Sequence, residues 1–171
     1  MRKQMVSESI EVRRMRPEEA GGFREIRLEA LRSNPESFGA SFEVEDAKPL
    51  EWFAERLSSF DVFGAYRGAD LLGIAGFGSQ AGPKLAHKGF LWTMFVRPHA
   101  RNGGVGRRLV EAVIDRARQS VEILQLTVTG NNAPARALYM ALGFAEYGVE
   151  TRGLKVDGHY YDEVLMAKEL G

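Results

Sequence analysis

The apolar run Phe90-Leu91-Trp92-Thr93-Met94-Phe95-Val96 stops just before Pro98, and Arg101-Asn102-Gly103-Gly104-Val105-Gly106-Arg107-Arg108 follows. From Val105 onward, Leu109, Val113 and Ala117 repeat every four residues, with Val110 and Ile114 beside them. A strand, a turn almost bare of side chains and an amphipathic helix fit this order. A helix start carries unpaired N–H groups and the positive end of the helix dipole. Glycines there let an anion reach the backbone, so a phosphate-bearing ligand is expected at this turn.

Spacing narrows the ligand. A nucleotide P-loop needs Lys-Ser or Lys-Thr after its last glycine, and a dinucleotide fold needs G-x-G-x-x-G. Gly103-Gly104-Val105-Gly106 satisfies neither. A second segment then adds to the first. Leu124 to Thr129 alternates and is rich in β-branched residues, the pattern of a strand. It runs into a helix on which Asn132 or Asn131 suits the N-cap, Pro134 the first turn and Gly143 the stop. Arg101-x-x-Gly104-x-Gly106, followed by Asn132, Ala135, Leu138, Tyr139, Gly143 and Phe144, resembles the two signatures of the GNAT superfamily of N-acetyltransferases. Both stand in the family's order and at its spacing.

The remaining sequence agrees with one domain spanning 1–171. Basic and acidic residues balance at 23 each, which argues against nucleic acid or an anionic membrane as partner. With no Cys there is neither a thiolate nucleophile nor a Cys-based metal site, and no metal is expected. The first residues are basic yet lack the apolar run of a signal peptide, and no stretch approaches a transmembrane span, so a cytoplasmic protein is expected.

Along the chain the pattern predicts a strand at 10–15, a helix from Pro17 to about Ser33 and a segment without clear period from Phe38 to Asp46. A helix from Pro49 to Ser58 and strands at 62–66, 71–77 and 89–96 follow. The glycine-led helix runs to about Ser120, and two last strands, 145–152 and 159–169, flank a Gly153–Gly158 turn. This order resembles the GNAT fold, an α+β architecture with a central mixed, mostly antiparallel sheet of about seven strands and about four flanking helices.

The resemblance implies acetyl transfer from acetyl-CoA to a primary amine of a small molecule or peptide, by direct attack in a ternary complex. It places the acetyl-CoA arm along Met94, Phe95 and Val96, where a backbone N–H stabilises the thioester oxyanion. The pyrophosphate falls on the turn Arg101, Asn102, Gly103, Gly104, Val105, Gly106 and Arg107. The side chains of Arg101, Arg107 and Arg108 add charge there or form a solvated helix start. Asn132 contacts the pantetheine arm or simply caps its helix. Tyr139 protonates the departing thiolate or packs as a half-buried aromatic.

The general base stays open. Family members often place a Glu on the strand before the glycines, and Gly89 to Val96 has no carboxylate. Candidates are Glu43, Glu45 and Asp46, or a water chain ending at His87, His159 or Asp162. Glu43, Trp92 and Tyr160 are candidate substrate contacts, and Phe38, Phe42 and Tyr161 lie near the expected cleft. An acidic loop there would suit a cationic amine. Two alternatives to the enzyme remain: a GNAT-fold module that binds CoA with little turnover, and a doubly wound nucleotide binder, which the hairpins before the glycines oppose. Val164, Leu165 and Met166 suit either a core or the last-strand edge through which family members pair, so a homodimer is an expectation.

Overall fold

The computed structural model describes residues 8–171. Strand β1 (Ile10–Arg14) leads through a 3-10 turn at Pro17–Glu19 into α1 (Ala20–Ser33). The Glu19 carboxylate holds this entry together. It accepts from the Arg16 amide at 2.8 Å, from the Arg13 guanidinium at 2.8 and 3.0 Å, and from the Tyr66 hydroxyl at 3.0 Å. Asn34-Pro35 ends α1, because the residue before a proline avoids the helical region, and a second 3-10 turn follows at Pro35–Ser37. The stretch without period contains α2 (Phe42–Asp46), five residues and too short to display one, and α3 (Leu50–Ser59) comes next.

The meander β2 (Asp61–Arg67), β3 (Asp70–Ser79) and β4 (Lys88–Val96) is antiparallel throughout. A third 3-10 turn, Pro98–Ala100, precedes α4 (Val105–Ala117), which begins at Val105. Then come β5 (Ile123–Thr129), α5 (Ala133–Ala141), β6 (Ala145–Val156) and β7 (His159–Glu169). The last hairpin differs from expectation. β6 continues through Gly153–Val156, and the turn is only Asp157-Gly158, both left-handed (φ 48° and 80°) as a two-residue hairpin of matching twist requires. The described residues form five α-helices where about four were expected, the extra one being α2.

The strands make one seven-stranded sheet in the order β1-β2-β3-β4-β5-β7-β6. One core, built on α4 with Tyr139 of α5, lies on one face of the sheet. A second core, built on α1 and α3, lies on the other. Only β4 and β5 are parallel, joined by α4 as the helical crossover that parallel pairing demands. Their pairing covers just Lys88–Phe90 against Ile123–Gln125. Beyond these residues the two strands diverge, and the sheet is split at its middle. No helix among the described residues is long and apolar enough to cross a membrane.

Candidate active site

The split opens a cleft of about 1170 Å³ that reaches both faces of the sheet. One edge of β4 from Leu91 and one edge of β5 from Leu126 have no strand partner there. A ligand arm with amide groups can therefore bind these edges as an additional strand would.

At one end lies the N-terminus of α4. Its cap is Gly104, left-handed at φ 80° and making no side-chain cap bond. The first-turn amides have no intrahelical acceptors, and Asn102 is also left-handed at φ 64°. A Cβ on Gly104 would meet nothing within 4 Å, so the approach to the amides is open. Nearby guanidinium groups are engaged elsewhere. Arg101 Nε donates to the Val96 carbonyl at 2.9 Å, Arg107 pairs with Glu111 at 3.0 Å, and Arg108 donates to the Ile10 carbonyl. That leaves backbone N–H groups and the helix dipole as what this end offers an anion.

The β4 wall is irregular for an identifiable reason. Ile74 pairs with Phe95 and Gly76 with Trp92, so Ala75 faces both Thr93 and Met94. The bulge turns Thr93 left-handed (φ 50°), an outlier for a β-branched residue. Arg27, buried on α1, donates from Nη1 to Thr93 Oγ1 at 3.1 Å, while Glu45 accepts from its Nε and Nη2 at 2.9 and 3.0 Å. Trp92, next in β4, lies over Gly76, where a Cβ would come within 2.5 Å of its indole nitrogen.

Tyr139 enters the cleft from α5, packed edge-on against Phe144 at 5.8 Å. Burial pushes its phenol well above the ordinary tyrosine value. Asn132 caps α5, its Oδ1 accepting from the Ala135 amide at 3.3 Å, and also lines the cleft.

Of the residues singled out from sequence, Trp92, Met94, Phe95, Val96, Arg101, Asn102, Gly104, Val105, Gly106, Arg107, Asn132 and Tyr139 line this cleft. Gly103 shares the turn but not the lining. Glu43 is exposed on α2, outside the lining, and Tyr160 lies between Arg152 and Lys155 at 4.7 and 5.1 Å, also outside it. Among the base candidates, both oxygens of Glu45 are taken by Arg27, Asp46 pairs with Arg24 at 3.1 Å, and Asp162 Oδ1 accepts the Arg152 amide at 2.8 Å. None of these, nor His87 or His159, lines the cleft. Arg27, Thr93, Glu36, Tyr147 and Glu163 do, and sequence reasoning had assigned them no role. For Glu163 a signal existed: it alternates with Val164 on a strand whose other face is core. No group of three or more metal-ligating side chains is assembled among the described residues.

The profile of the acetyltransferase (GNAT) family matches residues 23–144, from α1 to the end of α5 and across every segment of the cleft except β6 and β7. The chain belongs to the GNAT family. It is similar to the N-alpha-acetyltransferase RimI of Mycobacterium tuberculosis, 36% identical over 108 residues. That match covers 63% of the chain and 65% of the relative, just under two thirds of the relative's length. A GNAT-family acetyltransferase from Streptococcus pneumoniae has the same fold, with a TM-score of 0.85 at 22% identity over 95% of this chain and 100% of that one. The Salmonella typhimurium protein yncA, whose structure carries its cofactor acetyl-CoA, superposes with a TM-score of 0.79 at 20% identity over 95% and 94%.

Proposed function

We propose that this GNAT chain transfers the acetyl group of acetyl-CoA to a primary amine of a small molecule or peptide by direct attack within a ternary complex. The observation that carries this reading is the split between β4 and β5. It joins an open, left-handed helix start suited to phosphate with a free strand edge and a cleft-lining tyrosine. The amides of Asn102 to Arg107 hold the pyrophosphate, and the Met94–Val96 edge holds the pantetheine arm. A backbone N–H of that edge faces the thioester oxygen, where negative charge develops during attack.

Tyr139 supplies the proton that the departing sulfur takes up. A phenol near ~10 is already a weaker acid than a thiol near ~8.5, and burial weakens it further. Its proton therefore moves as the C–S bond breaks rather than beforehand. The peptide α-amine is the reading supported by the name of the Mycobacterium tuberculosis relative. The absence of a carboxylate on β4 favours the second reading, a CoA-binding module with little turnover.

Calorimetric titration with acetyl-CoA, followed by thiol release with spermidine, kanamycin and a tripeptide bearing a free α-amine, separates the two. Binding with thiol release for at least one amine is the expected result. Binding without release favours the module, and no binding overturns both.

A further inference from the structure

Acetyl transfer leaves one proton without a destination. An alkyl ammonium with a pKa near ~10.4 is neutral to only about one part in 10³ at pH 7, and β4 carries no acid. Two carboxylates among the described residues line the cleft, Glu36 of the Pro35–Ser37 turn and Glu163 of β7. Glu163 is paired with Thr129 of β5 on one side and Glu150 of β6 on the other. Val164 and Met166 turn into the α4 core, so strand alternation sets Glu163 on the α1 face of the sheet. There Thr129 Oγ1 donates to the Glu36 carbonyl at 2.6 Å, which brings the Pro35–Ser37 turn over this end of the cleft. The bulge between Glu150 and Leu154 makes room: a Cβ on Gly153 would lie 2.8 Å from Glu163 Cγ. Tyr139 reaches the same cleft from the opposite face.

We propose that Glu163 is the group that takes the proton from the substrate ammonium, and that the site accordingly selects amines that arrive as cations. This rests on the acetyl-transfer reading above. The ammonium gives one proton to Glu163, which passes it to solvent. The freed nitrogen lone pair forms the C–N bond with the thioester carbonyl carbon, and the C–S bond breaks. The second nitrogen proton leaves as the sulfur gains one from Tyr139, which is reprotonated, so the net yield is amide, thiol and one released proton.

Burial first, and Glu150 second, hold the Glu163 carboxyl above the ordinary range, which brings it closer to the amine it must deprotonate. Glu150 pairs beside it on β6 and uncharged Thr129 on β5, while Glu36 of the 3-10 turn and Tyr147 of β6 line the same cleft. Arg27 of α1 lines the same cleft but is engaged by Glu45 and Thr93.

The test compares wild type, Glu163→Gln and Glu150→Gln for acetyl-CoA affinity, for kcat/KM against pH with the three amines above, and for carboxyl titration by NMR of protein labelled with 13C-glutamate. Glu163→Gln should lose about 10²–10⁴-fold in kcat/KM at pH 7, keep its acetyl-CoA affinity, and lose the carboxyl signal that titrates highest. Glu150→Gln should move both that signal and the acid limb of kcat/KM to lower pH. Glu163→Gln with wild-type rate and an unmoved acid limb overturns the assignment while leaving acetyl transfer standing. So does a Glu163 carboxyl that titrates in the ordinary range. A wild-type protein that releases no thiol with any of these amines overturns acetyl transfer itself, and the assignment with it.

Discussion

Arg27 Nη1 donates to Thr93 Oγ1 across 3.1 Å, and Thr93 is the residue at which β4 leaves its regular course. Glu45 fixes the rest of the guanidinium from α2. One buried cation thus ties α1, a five-residue helix and the bulged strand that walls the cleft.

Removing that cation leaves Glu45 buried and unpaired. Breaking a buried pair from one side costs about 3–5 kcal/mol, whereas replacing both partners with apolar groups is often nearly neutral. Arg27→Met is expected to lower the unfolding midpoint by on the order of 10 °C, and Arg27→Met with Glu45→Leu to recover most of it. Thermal melts of wild type, the single variant and the double variant check this. A single variant as stable as wild type would show that the pair contributes little.

Tyr139→Phe removes only a hydroxyl, and the ring keeps its packing against Phe144. Turnover is expected to fall by about 10²-fold, toward the low end for a lost general acid, with acetyl-CoA affinity unchanged. Steady-state kinetics beside calorimetry decide it. Unchanged kcat would remove Tyr139 from the chemistry.

Gly104 is constrained by its backbone rather than by space. Its φ of 80° costs an ordinary residue about 1–2 kcal/mol, which Asn partly escapes. Gly104→Val should therefore weaken acetyl-CoA binding at least tenfold, by straining and covering the helix start, while Gly104→Asn should retain more of it. Gly106 differs, since a Cβ there would sit 3.1 Å from Met94 Cε inside the cleft. Calorimetric affinities of the two Gly104 variants, beside wild type and Gly106→Ala, rank these effects.

Local structure is readable from sequence wherever it repeats or sits at a fixed spacing. The glycine turn, the Asn132 cap and Tyr139 each announce themselves within a few residues. What went unread depends on register and long-range pairing. Alternation alone assigns Glu163 and Asp162 to opposite faces without saying which face opens onto the cleft, and the β5–β7 register settles that. Glu45 reads as a surface acid until Arg27, on another helix, arrives beside it. The bulge at Thr93 has no marker in the sequence, because a β-branched residue advertises a regular strand. α2 is too short for a period to show.

The entry to α1 gives stability two pH limits. Glu19 is held down at about 2, first by the hydrogen bonds from Arg13, against an ordinary value of 4.5. A carboxylate whose folded value is depressed contributes stability that is complete above its unfolded value and lost as pH falls through the folded one. The Glu19 contribution is therefore full above about pH 5 and disappears between there and pH 2. Tyr66, which donates to the same carboxylate, is pushed up to about 12, first by burial and then by Glu19. An acid raised in the folded state favours unfolding once the unfolded phenol ionises, so stability declines between about pH 10 and 12. Urea midpoints across pH should show Glu19→Gln less stable than wild type at neutrality, with the gap closing as pH falls toward 2. Tyr66→Phe should lose the alkaline decline. A Glu19→Gln gap that does not change between pH 5 and pH 2 would show that the carboxylate charge is not what holds β1 to β2.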